Sequence, residues 1–284
     1  MKMEEGMVMK KSLSAEELRK LAYENRRLML DVMFHVKSGH QGGSLSLMDI
    51  MTALYFSLMN IDSDRPGWAD RDRLVLSKGH ASAGYYTVLA QRGFFPKEEL
   101  FTYSRINSRL QGHPDMLKTP GVDFTSGSLG QGFSAAIGIA LGAKKVKQPF
   151  LTYVILGDGE LDEGQVWEGI MFAANYKLDN LIVIVDKNGF QCAGSCEDIM
   201  SNEHLDEKFE SFNWHVLKMN GNRMEDILET IKGAQKPVGK PTVIIAETLK
   251  GKGVKFMENR FEWHSQVFTE ETYNRAINEL YMEV

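Results

Sequence analysis

Cysteine is scarce in this chain: Cys192 and Cys196 are the two in 284 residues. A structural zinc site takes four ligands, and no His/Cys pair is spaced to complete one, so they read as reduced thiols of a cytoplasmic protein. Long apolar runs are missing as well. None approaches the roughly 18 residues of a membrane span, and Met1 to Ser12 carries lysines and methionines without an apolar signal core. There is no basic stripe and no aromatic-basic interleaving, and the net charge is −5 with a pI near 5.9, which argues against nucleic acid as a partner. No G-x-G-x-x-G follows an early strand with an acidic residue about 20 positions on, so a nicotinamide-dependent dehydrogenase is set aside. Linkers, low-complexity tracts and internal repeats are absent too. One domain over residues 1–284 is the economical reading.

What is present is an ordinary globular composition, 43% hydrophobic and 25% charged, sufficient for one large core. The organising stretch is Tyr153 to Phe190. Tyr153-Val154-Ile155-Leu156 is an apolar, partly β-branched run, followed at once by Gly157-Asp158-Gly159-Glu160. A helical pattern then carries Val166, Trp167, Ile170, Met171, Ala174 and Tyr176, and a second run, Leu181 to Val185, ends in Asp186-Lys187-Asn188-Gly189-Phe190. Runs of this kind suit strands buried on both faces. Joined by a helix they form a right-handed βαβ unit, whose two turns share the carboxyl edge of a parallel sheet. Asp158, Asn188 and the backbone carbonyl of Phe190 then converge as hard oxygen donors of low charge, the set that magnesium takes together with phosphate oxygens. Glycines beside Asp158 let a diphosphate approach, and the amides at Gly159 and Glu160 favour an anion. The pattern predicts a metal-diphosphate anchor.

The remaining chain is read in order. Leu13 to Lys37 is helical, opened by a capping box at Ser14–Glu17. Ser38-Gly39-His40-Gln41-Gly42-Gly43-Ser44 breaks it, and Leu47 to Met59 resumes a helix. That break is either a ligand-facing loop or a capping turn with a surface histidine. The strand Arg73 to Leu76 delivers Ser77-Lys78-Gly79-His80 to the same sheet edge as Asp158, before a helix through Leu89. Gln111-Gly112-His113-Pro114-Asp115 is a rigid turn displaying an imidazole. Thr125 to Gly132 is glycine-rich and leads into a slim helix, Phe133 to Lys144, suited to close packing. Trp214 to Leu217 and Pro241 to Thr248 are further strands with a helix, Met224 to Gly233, between them, and Thr269 to Val284 ends as an amphipathic helix. The fold class that follows is α/β, three layers with a mainly parallel sheet.

Gly157-Asp158-Gly159 with Asn188 at the end of the next strand, Ser38-Gly39-His40, Ser77-Lys78-Gly79-His80, Gly112-His113-Pro114, Gly127-Ser128-Leu129-Gly130-Gln131-Gly132, and Lys250-Gly251-Lys252-Gly253 with Met257-Glu258-Asn259 and Trp263-His264 all occur in this one chain. Together they resemble the thiamine diphosphate-binding half of transketolases, from Ser38 to His264. The resemblance implies thiamine diphosphate as cofactor, with Mg2+ or another divalent cation such as Ca2+ or Mn2+. It implies that His40 and His264 move protons and orient substrate, and that His264 also bridges to the diphosphate. By the same resemblance His80 touches the diphosphate, His113 the substrate, and the backbone of Gly127, Ser128 and Leu129 the aminopyrimidine. Glu163 matches a glutamate of the carboxylate network between the two active sites of a dimer. His35, His204 and His215 match no block. Two departures stand out: Ser265 where the family has glycine, and Gln191-Cys192-Ala193 where its loop more often ends in Asp-Gly.

The resemblance further implies ketol transfer between sugar phosphates. The glutamate that activates the cofactor sits in this family on a second, pyrimidine-binding domain, expected here on a separate partner subunit, with self-association through the diphosphate-binding domains. The alternatives are part of a related thiamine carboligase and a non-catalytic subunit of the same fold.

Overall fold

The computed structural model describes residues 13–282, so the readings of Met1 to Ser12 and of the last two residues lie outside the described residues. The centre is one five-stranded sheet of β1 (Arg73–Leu76), β2 (Thr152–Gly157), β3 (Leu181–Lys187), β4 (His215–Asn220) and β5 (Thr242–Glu247), in the spatial order β1-β2-β3-β5-β4. Every pairing is parallel, and Gly157 lies opposite Asp186 in the register of β2 and β3. The predicted neighbourhood of those two strands is therefore present.

Side chains along the strands alternate between two cores, as a period of two requires. Leu74, Leu76, Tyr153, Ile155, Ile182, Ile184 and Ile244 face one core, and Val75, Val154, Leu156, Val183, Val185, Val243 and Ile245 face the other. All are buried, and each such side chain contributes about 1.5–3 kcal/mol relative to exposure. Ten α-helices surround the sheet: α1 (Ala15–Val36), α2 (Gln41–Ser46), α3 (Met48–Ala53), α4 (Ser82–Arg92), α5 (Gln131–Val146), α6 (Gly164–Asn175), α7 (Cys196–Ile199), α8 (Leu205–Ser211), α9 (Met224–Ala234) and α10 (Glu270–Glu279), counted among the described residues. Helices α1, α3, α4, α9 and α10 supply the first core, and α5, α6 and α8 the second. The three-layer α/β/α reading holds.

The Ser14–Glu17 capping box opens α1, with Glu17 N–H donating to Ser14 Oγ at 3.2 Å and Ser14 N–H to Glu17 Oε2 at 2.7 Å. Several helix ends shift by one to a few residues from the sequence reading, α10 stopping at Glu279; three other differences have a local cause. The break after α1 is shorter than predicted, because α2 already starts at Gln41. Gly42 and Gly43 are helical, and their lack of side chain serves close approach: a Cβ on Gly42 would stand 2.9 Å from the Trp263 carbonyl. The predicted helix Leu47–Met59 is split, with α3 passing into a π-turn over Leu54–Leu58. Trp214 precedes β4 rather than opening it, buried with its indole N–H donating to the Ile170 carbonyl at 3.0 Å. Among the described residues no helix is long and apolar enough to cross a membrane.

Candidate functional site

The carboxyl edge of β1, β2 and β3 opens into a cavity of about 200 Å³, lined among others by Lys78, His80, Leu129, Asp158, Asn188 and His264. Its floor is the strand-end pair predicted from sequence. Asp158 ends β2 and is 4% exposed. Its Oδ1 accepts from Gly159 N–H at 2.9 Å and its Oδ2 from Gly189 N–H at 2.6 Å, so one carboxylate ties the two turns together. Burial, reinforced by Asp186 nearby, pushes this carboxyl up to about 6. Asn188, at the end of β3, accepts from Phe190 N–H at 3.2 Å through Oδ1 and donates from Nδ2 to Asp186 at 3.2 Å. The Phe190 carbonyl is met by the Lys250 ammonium at 3.3 Å, and the Gln191 carbonyl by the same ammonium at 2.7 Å. Burial and the charge of Lys78 pull Lys250 down to about 8.

These residues fit a divalent cation with a diphosphate. Asp158 is a buried carboxylate whose charge is incompletely compensated, and a cation beside it would relieve that cost. Lys250 and Lys78 are buried ammoniums facing the same space, and an anion would relieve theirs. Among the described residues no three His, Cys, Asp or Glu side chains are placed to hold a metal ion between them. The donors available are thus one carboxylate, one amide and one carbonyl, a hard set that leaves positions for phosphate oxygens and water.

Above this floor stand three imidazoles. Ring centroids of His40 and His80 are 5.2 Å apart, His40 and His264 5.4 Å, His80 and His264 5.1 Å. They come from the turn before α2, the 3-10 turn Gly79–Ala81 after β1, and the 3-10 turn Phe261–His264. Each is held below its ordinary value. Burial is the largest cause in all three; the next is Lys78 for His80, Lys250 for His264 and His113 for His40. His264 is pulled down to about 3, and its Nδ1 lies 3.1 Å from the Lys250 ammonium, which makes that nitrogen the acceptor. An imidazole ordinarily titrates near neutral pH; burial first, with the neighbouring charges behind it, lowers these three instead. His40 Nδ1 is buried without a hydrogen-bond partner.

His113 is exposed on the rim, its backbone carbonyl accepting from Tyr86 Oη at 3.1 Å. A Cβ on Gly127 would touch its ring at 3.6 Å, so the Gly127 backbone faces that imidazole. Leu129 lines the cavity, while Ser128 is exposed beside it. Glu160 lines the cavity yet turns its carboxylate into the protein, accepting from Ser77 Oγ at 2.5 Å, Gly130 N–H at 2.8 Å and Gly157 N–H at 3.1 Å. Glu163 is not brought to the cavity: it is exposed at the start of α6. His35 meets Phe101 edge to face, His215 meets Thr242, and His204 is exposed, all away from the cluster.

The two departures find partners. Ser265 Oγ donates to the Gly39 carbonyl at 3.0 Å, tying the His264 turn to the His40 turn. Gln191 reaches Asp162 at 2.6 Å, and Cys192, exposed at the tip of that loop, lines the cavity. The Cys196 thiol is pushed up to about 12 by burial and by Asp158, leaving it unreactive. Lys78 and Asp186 carry no role in the sequence reading. Lys78 was visible inside the Ser77–His80 block, and Asp186 two positions before Asn188, where a strand places both on one face.

The family described as "Transketolase, thiamine diphosphate binding domain" matches residues 18–283, which makes this a thiamine diphosphate-binding domain working with a divalent cation. A 6-deoxy-6-sulfo-D-fructose transketolase subunit from Clostridium sp. (strain MSTE9) is 45% identical over 91% of this chain and 94% of its own length. An apulose-4-phosphate transketolase subunit from Phocaeicola vulgatus is 40% identical over 94% of this chain and 95% of its own. The transketolase structure from Campylobacter jejuni superposes with a TM-score of 0.88 at 34% identity, covering 94% of this chain and 43% of that one. The chain belongs to the transketolase family, as its N-terminal, thiamine diphosphate-binding part.

Proposed function

We propose that this chain is one subunit of a two-chain transketolase, moving a two-carbon ketol unit from a ketose phosphate to an aldose acceptor. The observation that carries the reading is the ring of His40, His80 and His264 standing within 5.4 Å of one another over Asp158 and Asn188. Thiamine diphosphate, when bound, supplies the nucleophilic carbon and the electron sink for the transferred fragment. Everything else falls to side chains. Asp158, Asn188 and the Phe190 carbonyl hold the divalent cation, with Lys250 released from that carbonyl to meet anionic oxygens. Gly159 N–H, the Glu160 backbone and His80 face the diphosphate, and Gly127, Ser128 and Leu129 line its ring-binding side.

Neutral imidazoles accept hydrogen bonds from sugar hydroxyls, and His40 Nδ1 has no partner of its own to give up. His40 thus receives and returns a hydroxyl proton, and His264 does so through Nδ1 once Lys250 has turned to the anionic oxygens, its Nε2–H orienting the sugar until then, with His113 orienting the sugar at the rim. An anion in the cavity raises the basicity of His40 and His264.

A separate partner subunit carrying the pyrimidine-binding domain completes the site. The support is that relatives of this length are themselves named as subunits. The whole chain serves as one diphosphate-anchoring domain in the cytoplasm, a setting its two free thiols suit. It self-associates through the exposed apolar side chains of α6 and the turn that follows it, Met171, Phe172 and Tyr176, with Glu163 at the head of that helix reaching the second copy. The test is reconstitution: the pure chain should give no ketol transfer from a panel of ketose phosphates, and adding the partner should restore it. Turnover by the rigorously pure single chain would refute the two-chain reading.

A further inference from the structure

Asn188 can serve a cation through one atom only. Its side chain carries an acceptor, Oδ1, and a donor, Nδ2, of nearly equal size, and a half-turn of the amide would present N–H2 to the metal instead. Something must choose between the two. The structure shows what does. Asp186 is fully buried, and its ionised carboxylate can only accept; Nδ2 of Asn188 donates to its Oδ2 at 3.2 Å. At the opposite end the Phe190 N–H can only donate, and it meets Asn188 Oδ1 at 3.2 Å. A flipped amide would set two donors against each other and an oxygen against a carboxylate. Oδ1 keeps a second lone pair, and Asn188 lines the cavity.

Asp186 itself is held from behind. It forms a salt bridge with Lys78, whose side chain is 2% exposed, and accepts from Ser46 Oγ at 2.7 Å and from the Thr248 hydroxyl. Its Oδ2 thus meets three donors, the Lys78 ammonium, Ser46 Oγ and Asn188 Nδ2, which fixes that oxygen as an acceptor toward Asn188.

We propose that Asp186, backed by Lys78, is a positioning residue that fixes the Asn188 amide with Oδ1 toward the cation. The proposal rests on the reading of Asn188 as a metal ligand. Hydrogen-bond partners of metal ligands are worth 10–100-fold in metal affinity. The test uses the full chain with Mn2+ as a paramagnetic probe and thiamine diphosphate in excess, following water-proton relaxation.

Asp186→Leu, which removes every acceptor at that position, should weaken Mn2+ binding by at least tenfold. It leaves Lys78 unpaired in the interior, so the double variant Lys78→Met/Asp186→Leu, which removes both charges of the buried pair, is measured beside it. Wild-type affinity in both Asp186 variants would overturn the proposal alone. Failure of the wild type to recruit Mn2+ would overturn the metal reading and the proposal with it. A second readout needs no metal. In 15N-asparagine-labelled protein the Asn188 side-chain NH2, identified by its loss in Asn188→Asp, should be protected from solvent exchange and should lose that protection in the double variant. An unprotected NH2 in the wild type would overturn the proposal.

Discussion

At the scale of single residues, the site works by placing charges where burial makes each of them costly alone. Asp158 is the sharpest case, a carboxyl pushed up to about 6 whose compensation must come from outside the chain. Asp158→Asn should abolish the rise in melting temperature that magnesium with thiamine diphosphate gives the wild type, since a ligand stabilises only the state that binds it. The histidines carry a separate signature in pH. His40, His80 and His264 have native values below 6.5, so as pH falls through that point the unfolded chain takes up protons that the native chain refuses. Their contribution to stability must then fall between pH 7 and pH 5. Asp158 acts with the opposite sign, its raised value making the native state weaker as pH climbs from about 4 to about 6. Comparing wild type with His264→Asn cancels that contribution. The urea midpoint of the variant should fall less on going from pH 7.5 to pH 5.0 than that of the wild type, and equal falls would show that His264 is not held neutral.

Among elements, the loops at the sheet edge are stitched to each other more than to the helices that follow. Glu160 joins the ends of β1 and β2 to the turn before α5. Glu160→Gln would set an amide donor against one of these donors, a cost of about 1–3 kcal/mol in urea unfolding. Gly42→Ala should also weaken binding of magnesium with thiamine diphosphate, because the added methyl group pushes on the Trp263 carbonyl next to His264. The strands and the placing of Asp158 and Asn188 were legible in the sequence because apolar β-branched runs and strand-end turns are local signals. Gly42 and Gly43 misled for a physical reason: glycines that admit a neighbour from far along the chain look the same in sequence as glycines that end a helix. The stitching by Glu160 and the Lys78–Asp186 pair were hidden likewise, since each links segments dozens of positions apart. The histidines could be picked out through the family resemblance, but their lowered values depend on burial among segments far apart in the chain and on the charges gathered there, which no single motif contains.

At the scale of the whole molecule, the outer face of α6 and its closing turn presents Met171, Phe172 and Tyr176 to solvent, with the rings of Phe172 and Tyr176 4.4 Å apart. If this face is where two copies meet, Phe172→Glu should convert the assembly to its lighter form in sedimentation, with the far-ultraviolet dichroism unchanged. An unaltered sedimentation coefficient would move the interface elsewhere. The sheet gives this molecule one rigid frame, and the cavity stands at the edge of three of its strands rather than on any one of them.

The bond from Ser265 to Gly39 spans 226 positions, and Gln266 N–H meets Gln41 at 3.0 Å beside it. A growing polypeptide emerging from the ribosome therefore carries its His40 turn long before the segment that fastens it. Until Ser265 is free to pack, the newborn protein can raise its sheet yet leaves its His40 turn unfastened, so this wall of the pocket takes shape after the strands beneath it.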